Sequence, residues 1–329
     1  MGKKVIIFGP WVGEFSYELS WWNPECRKLR NEYFKDYHSV HLGFCGRYVA
    51  YKDFIDEYIP YPSELEETLQ FPATYGEHIN GQDIIPPIFE EYLNKVAKDF
   101  KDRGFTEIAV HKPKDIPITR ERCLDNHPFG EYVHYNVDSD IEDNVKYELK
   151  KYFKNEDPTI FLMARTRTRH GNICYLDWNL DNWPIFTERL INELGVNIIS
   201  LLVKTQGSRG GSVGVAKHPK LKHLKHKIMD FELLKGDFDS FEKQLAILKN
   251  TKCSIYGASG AAVVPFFVNT PTFTQQTVQE GFRLTLGWEK DLTENLKNVK
   301  IFDKYKDGEI YESPPDELFE EFLKFYKEL

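Results

Sequence analysis

No cysteine in this chain of 329 residues belongs to a CxxC pair. The five that occur, Cys26, Cys45, Cys123, Cys174 and Cys253, are scattered and odd in number. That pattern argues against a zinc knuckle or a disulfide scaffold and fits a reducing cytoplasm, with the thiols buried or incidental. The phosphate-binding signature GxxxxGK[ST] is missing, which argues against a P-loop kinase or ATPase. GxGxxG is missing too: "GSRGGSVG" (207–214) comes close, but a basic, His-rich stretch follows it rather than a clear helix. HExxH does not occur. No apolar run approaches the length of a membrane span. The start, "MGKKVIIFGP", enters a strand at once and lacks a secretion signal, and Ile6 stands where a myristoylation signal needs Ser or Thr. Positive charge is also in deficit. The formal net charge of −8 argues against general coating of nucleic acid or of an anionic membrane surface, while leaving room for a local basic patch.

What is present is a large apolar reserve, 41% hydrophobic and 15% aromatic, in a chain long enough for two ordinary domains. Val5–Phe8 reads as a buried strand. The helix after it carries Phe15, Leu19, Trp22, Cys26, Leu29 and Tyr33 at helical spacing, with Pro24 inside the pattern to kink or split it. Residues 40–44 and 107–110 read as strands and 88–100 as a helix; 60–88 and 111–140 look irregular. A cleaner alternation starts near 142. It runs through a helix at 143–153, a strand at 159–164, a helix opened by Pro184 and closed by Gly195, a strand at 196–203, a helix at 238–251 that Asp239 or Ser240 can cap, and "CSIYGASGAAVVPFFV" as strand, turn and short apolar helix. "TPTFTQQ" and 299–302 are further strands. Pro314-Pro315 opens a last amphipathic helix with Leu318, Phe322, Phe325 and Leu329 on its inner face. Strands alternating with helices imply parallel sheets covered on both faces, and two such runs parted near 140–155 imply two doubly wound α/β domains facing a cleft.

The strongest chemical signal is "MARTRTRHGN" (163–172). Arg165, Arg167 and Arg169 follow a strand directly, where an open α/β sheet lines its ligand crevice, and can fork onto a diphosphate. "VKTQGSRGG" places Lys204 and Arg209 in a Gly-rich loop after the next strand, and 204–229 holds seven Lys or Arg and no acid. A bare charge run is usually a solvated face; two basic loops after successive strands favour an anion site. In "YGASGAAVVPFF", Ser259 and Gly260 open a helix where backbone amides can approach a phosphate. "DSD" at Asp138–Asp140 has the form of a DxD metal motif, but it precedes a helix that Asp and Ser serve to cap. His218, His223 and His226 have lysines at nearly every gap, which makes a divalent metal site unattractive. The opening turn, "GPWVGEFSYELSWWNP" (9–24), is different again: it offers Trp11 and two carboxylates one helical turn apart, Glu14 and Glu18, where a phosphate cradle would want positive charge.

Together these stretches resemble the GT-B class of nucleotide-sugar glycosyltransferases, in its heptosyltransferase- and fucosyltransferase-like branches. "FGPWVGEFSYEL" is similar to the first strand-turn-helix, "FLMARTRTRHGN" with "NWP" to the start of the donor domain, "LLVKTQGS" to its next strand and loop, and "SIYGASGAAVVPFFVNTPTFT" to the late Ser/Gly turn. They touch well under half of the chain. The chain departs from the heptosyltransferase pattern in having Glu14 where Asp is usual and in lacking the usual His after the late Gly turn.

The resemblance implies two Rossmann-like domains, 1–148 on the acceptor side and 149–314 binding the nucleotide sugar, with helix 315–329 packing back on the first. It implies Glu14 as general base, Glu18 as competitor or orienting neighbour, and Trp11 and Gly13 on the acceptor side. It implies Arg165, Arg167, Lys204, Arg209, Ser259 and Gly260 on the donor diphosphate, with no metal and no cofactor beyond the donor itself. The acceptor would be a surface glycan or a hydroxymethylated base in phage DNA, and the site of action the cytoplasm, the host's if the chain is phage-encoded. Two other readings stand beside it: a non-catalytic nucleotide- or polyanion-binding protein, and an NAD- or sulfonucleotide-using enzyme, which the missing glycine fingerprint disfavours.

Overall fold

The structure, a computed structural model, describes residues 2–13, 15, 18–68, 85–113, 131–166, 168–169, 172–173, 178–203, 211–212, 214–233, 240–257, 260–276, 299–303, 305–306 and 309–329. The chain divides into a first unit, Met1–Val133, and a second built from His134–Lys235 and Asp239–Leu329.

The first unit holds a parallel sheet of β1 (Lys3–Phe8), β2 (His38–Gly43), β3 (Glu57–Pro60) and β4 (Phe105–His111), in the spatial order β3-β2-β1-β4. Side chains alternate across a strand. Val5 and Ile7 of β1 join Val40 and Leu42 in a core that also takes in Phe89, Leu93, Val96 and Phe100 of helix α3 (Pro87–Asp102). Ile6 and Phe8 point the other way and are also fully buried. Here the helix predicted after β1 takes a particular form. A π-helical turn, Glu18–Trp22, runs into helix α1 (Asn23–Glu32), and Pro24 lies in the first turn of α1, where its missing N–H costs nothing. Leu19, Trp22 and Cys26 are buried as the spacing predicts, whereas Tyr33 lies past the helix end and is 70% exposed. Helix α2 (Ser63–Thr68) follows β3.

The second unit begins with helix α4 (Ser139–Phe153), with Asp138 at its N-cap position and Asp140 in its first turn, where a carboxylate complements the helix dipole. Its salt bridges, Lys249–Glu142 at 2.5 Å and Lys243–Glu148 at 3.1 Å, tie it to helix α6 (Ser240–Lys249). The unit's sheet contains β5 (Thr159–Met163), β6 (Asn197–Val203), β7 (Ile228–Leu233), β8 (Cys253–Tyr256), β9 (Thr272–Gln276) and β10 (Val299–Asp303). All run parallel, in the order β7-β6-β5-β8-β9-β10. Counted from β5 this is 3-2-1-4-5-6, the dinucleotide-fold order, and the first unit repeats its 3-2-1-4 portion. Helix α5 (Asn182–Leu194) ends on Gly195, whose φ of 65° and N–H bond to the Ile191 carbonyl close it as predicted. The apolar segment after β8, Gly260–Val268, is a 3-10 helix, and Pro265 inside it cannot donate an α-helical bond.

The final helix, α7 (Pro315–Lys327), buries its stripe of Leu318, Phe319, Phe322 and Phe325 in the second unit's own core. The ring of Phe322 meets Phe273 of β9 edge-on at 5.4 Å and Phe186 of α5 at 6.1 Å. The Arg189 guanidinium lies 3.9 Å over Phe319 and bonds Asp316 and Glu320, which fixes α7 against α5. Leu329 lies beyond the helix and is partly exposed.

Candidate active site

In a doubly wound sheet the ligand crevice lies outside the carboxyl ends of the strands, where the winding reverses. In the first unit that point lies between β1 and β4. Gly9 N–H bonds the carbonyl of His111, the last residue of β4, at 2.9 Å. The Trp22 ring stacks on His111 at 5.5 Å and 5°, and on Trp11 at 5.8 Å and 16°. The Trp22 indole N–H donates to Nε2 of His41 at 2.8 Å. His41 in turn stacks on Tyr51 at 3.8 Å and on Tyr58 at 5.3 Å. Trp11 is therefore core rather than an open sugar platform: it is 2% exposed, with Trp22 against its ring. Gly13 packs against Trp11, where a Cβ would lie 2.7 Å from the indole.

Glu18 opens the π-helical turn and is wholly buried. The Tyr51 hydroxyl donates to its Oε1 at 3.0 Å, and Arg47 Nε stands 3.9 Å from Oε2, which accepts no hydrogen bond. Burial pushes the Glu18 carboxyl up to about 7; Arg47 and the Tyr51 hydroxyl pull against that, and Glu66 adds to it. A carboxylate poised near neutrality, with one oxygen held and the other without a donor, is equipped to accept a proton.

In the second unit the winding reverses between β5 and β8. Arg165 follows β5 and pairs antiparallel with Ser212 in a two-residue ladder. Gly257 follows β8, and its N–H bonds the Met163 carbonyl at 3.0 Å. A Cβ at Gly257 would lie 3.0 Å from Arg165 Cβ and 3.2 Å from the Trp183 ring, so glycine is what lets the two strand ends close up. Trp183, in the first turn of α5, is buried with an indole N–H that has no hydrogen-bond partner.

The topology thus brings Arg165 and Gly257 to one end of the second sheet, and Trp11, Gly13 and Glu18 to one end of the first. Glu14, Arg167, Lys204, Arg209 and Ser259 lie outside the described residues. Reading the sequence missed Tyr51, Arg47, His41 and Trp22 as parts of the site. The one signal for them was Arg47 and Tyr51 four residues apart, across the short apolar pair Val49-Ala50. Among the described residues no group of His, Cys, Asp or Glu could hold a metal ion, and no helix is long and apolar enough to cross a membrane.

Two Rossmann-like α/β units in one chain are the architecture of the GT-B fold. Over its whole length the chain is similar to two solved structures of glycosyltransferases. One is the ADP-heptose LPS heptosyltransferase II of E. coli, with TM-score 0.59, 12% identity and 99% of each chain covered. The other is a family 9 glycosyl transferase from Veillonella parvula, with TM-score 0.61, 11% identity, and 99% of this chain and 98% of that one covered. At such identity the likeness shows the fold. No protein-family model and no curated protein matches the chain.

Proposed function

We propose that the chain is a glycosyltransferase that moves a sugar from a nucleotide-sugar donor to an acceptor hydroxyl without a metal ion. The observation that carries this reading is Arg165 set against Gly257 where the six-stranded sheet reverses its winding, in a chain with the fold of two glycosyltransferases over its whole length. In this reading the second unit binds the donor diphosphate through Arg165, Arg167, Lys204, Arg209, Ser259 and the amides that open the helix at Gly260. The first unit supplies the base. Its carboxylate takes the proton of the acceptor hydroxyl, the oxygen attacks the anomeric carbon, and the bond from that carbon to the diphosphate oxygen breaks. The diphosphate leaves with its charge met by arginine, lysine and backbone amides. Glu18 is the base whose surroundings favour the role; Glu14 is its competitor. The acceptor is a surface glycan or a hydroxymethylated base in phage DNA, and the reaction belongs to the cytoplasm.

The test is incubation with a panel of nucleotide sugars, ADP-heptose among them, with each acceptor class, followed for nucleoside diphosphate release. Release that depends on one donor and one acceptor supports the reading. Nucleotide binding with no release from any pair would instead support a non-catalytic binding protein.

A further inference from the structure

Buried carboxylate oxygens almost always find a donor. Glu18 Oε1 has one, whereas Oε2 accepts no hydrogen bond and has Arg47 Nε at 3.9 Å, although the residue is fully enclosed. We propose that Tyr51 is a positioning residue for the Glu18 base: its hydroxyl fixes Oε1, opposite the Arg47 guanidinium on the Oε2 side, and so sets the pH at which the carboxyl ionises. The inference rests on the glycosyl-transfer reading and adds to it a second side chain, which sets when the base is ionised.

Tyr51 is itself held. Its backbone N–H bonds the Tyr48 carbonyl at 2.8 Å and its carbonyl accepts from Ile55 at 3.0 Å, so the main chain there is fixed. Its ring lies on His41 at 3.8 Å, tilted by 29°. His41 is pinned by the Trp22 indole at 2.8 Å. Trp22 closes the same π-helical turn that Glu18 opens. The path Glu18, Tyr51, His41, Trp22 therefore returns to the turn it left, and every member is buried. A closed circuit of this kind leaves the carboxylate little freedom to swing, and preorganisation of that sort is what a base needs.

The charged and titratable groups that act on Glu18 or feel it come from several elements. Arg47 and Tyr51 flank the short helical turn Tyr48–Ala50, Glu66 lies on α2, and Tyr58 lies on β3 with Tyr61 just after it. Cys26 lies on α1. Of these, Arg47 and the Tyr51 hydroxyl favour the ionised form of Glu18, and Glu66 disfavours it. Removing the hydroxyl would leave Oε1 without a donor, so the proton would be held to higher pH.

The test compares the wild type with Tyr51→Phe. The protonated Glu18 carboxyl is followed against pH by infrared spectroscopy without any substrate, as the band that Glu18→Gln lacks. The midpoint is expected to rise by about one pH unit or more, the size of a hydrogen bond to a charged group. With the donor and acceptor found in the panel, the acid limb of kcat/KM should move by the same amount, with KM for the donor unchanged. Replacing Tyr51 with 3-fluorotyrosine, a stronger donor of nearly the same shape, should move the midpoint down, and it serves also if Tyr51→Phe does not fold. A tyrosine that served only the fold would leave the acid limb of kcat/KM where it is. A midpoint unchanged in both variants, or no titrating band assignable to Glu18, overturns the inference. If the wild type turns over no donor, the glycosyl-transfer reading fails, and the infrared titration alone still decides whether Tyr51 sets the protonation of Glu18.

Discussion

Trp22 donates its indole N–H to Nε2 of His41 at 2.8 Å, and both rings are fully buried. An indole can only donate, so Nε2 must accept, and the proton of the neutral ring sits on Nδ1. Burial pushes His41 well below the usual histidine range. The folded protein therefore refuses a proton that the unfolded chain takes near pH 6.5. Stability should be lost as pH falls below about 6.5, because there the unfolded state binds the extra proton. Urea unfolding of the wild type and of His41→Gln, compared from pH 7.5 to pH 5, isolates this contribution. The wild type should lose more stability than the variant over that range. Parallel curves would show that His41 takes its proton without unfolding.

The second prediction concerns α7. Phe322 is fully buried against Phe273 and Phe186, so Phe322→Ala should destabilise the protein by about 3–5 kcal/mol. Leu329→Ala, at the partly exposed chain end, should stay within about 0.5 kcal/mol. Equal effects in urea melts would mean that the apolar stripe of α7 is not the part that holds it.

Two strands of the parallel sheets that reading the sequence missed, β3 and β7, lie at sheet edges. An edge strand has one neighbour and tolerates exposure, so "EYIP" is half-open and "IMDFEL" carries Asp230 and Glu232. Neither shows the continuous apolar run that made β1, β5, β6 and β8 legible. The place of Arg165 was legible for a related reason: residues just past a central strand have one place to go, the carboxyl end of the sheet. The surroundings of Glu18 were not legible. A regular helical wheel puts Glu18 at the edge of the apolar face, beside Trp22 and Leu29, where a carboxylate ordinarily reaches water, while the π-helical turn puts Glu18, Leu19 and Trp22 all inside. The terminal helix was legible as an element, but its neighbours in the second unit's core were not, because an apolar stripe states that it needs a neighbour and not which one.

Arg165→Ala and Lys204→Ala should each weaken binding of the nucleoside diphosphate. A charge-assisted hydrogen bond contributes roughly 1.5–3 kcal/mol, which is about 10- to 150-fold in affinity. Calorimetry with the free diphosphate reads this without any need for turnover. Unchanged affinity in both variants would remove the two residues from the donor site.

Transfer should survive EDTA, since the proposed counter-charges are arginine, lysine and backbone amides. Loss of activity in EDTA with recovery on adding Mn²⁺ would overturn this and return Asp138 and Asp140 to consideration.

Glu18→Gln should make the protein more stable and less active at once. Glu18 titrates near 7 when folded, against 4.5 for the ordinary carboxyl. Its folded value is raised, so its contribution to stability is fully present below about pH 4.5 and is lost as pH rises through 7. The gap of about 2.5 pH units is worth about 3 kcal/mol, which the wild type should have lost by pH 8 and the glutamine variant should not. The variant should therefore gain on the wild type in unfolding free energy between pH 4.5 and pH 8. At the same time a general base supplies about 10²- to 10⁴-fold in rate, so kcat should fall by at least about 100-fold while the diphosphate affinity stays near the wild-type value. Glu14→Gln should cost less if Glu18 is the base. The reverse order, with Glu14→Gln inactive and Glu18→Gln turning over normally, would hand the role to Glu14 and leave Glu18 as a buried carboxylate without catalytic use. Normal turnover in both variants would leave the two carboxylates without a part in the proton transfer.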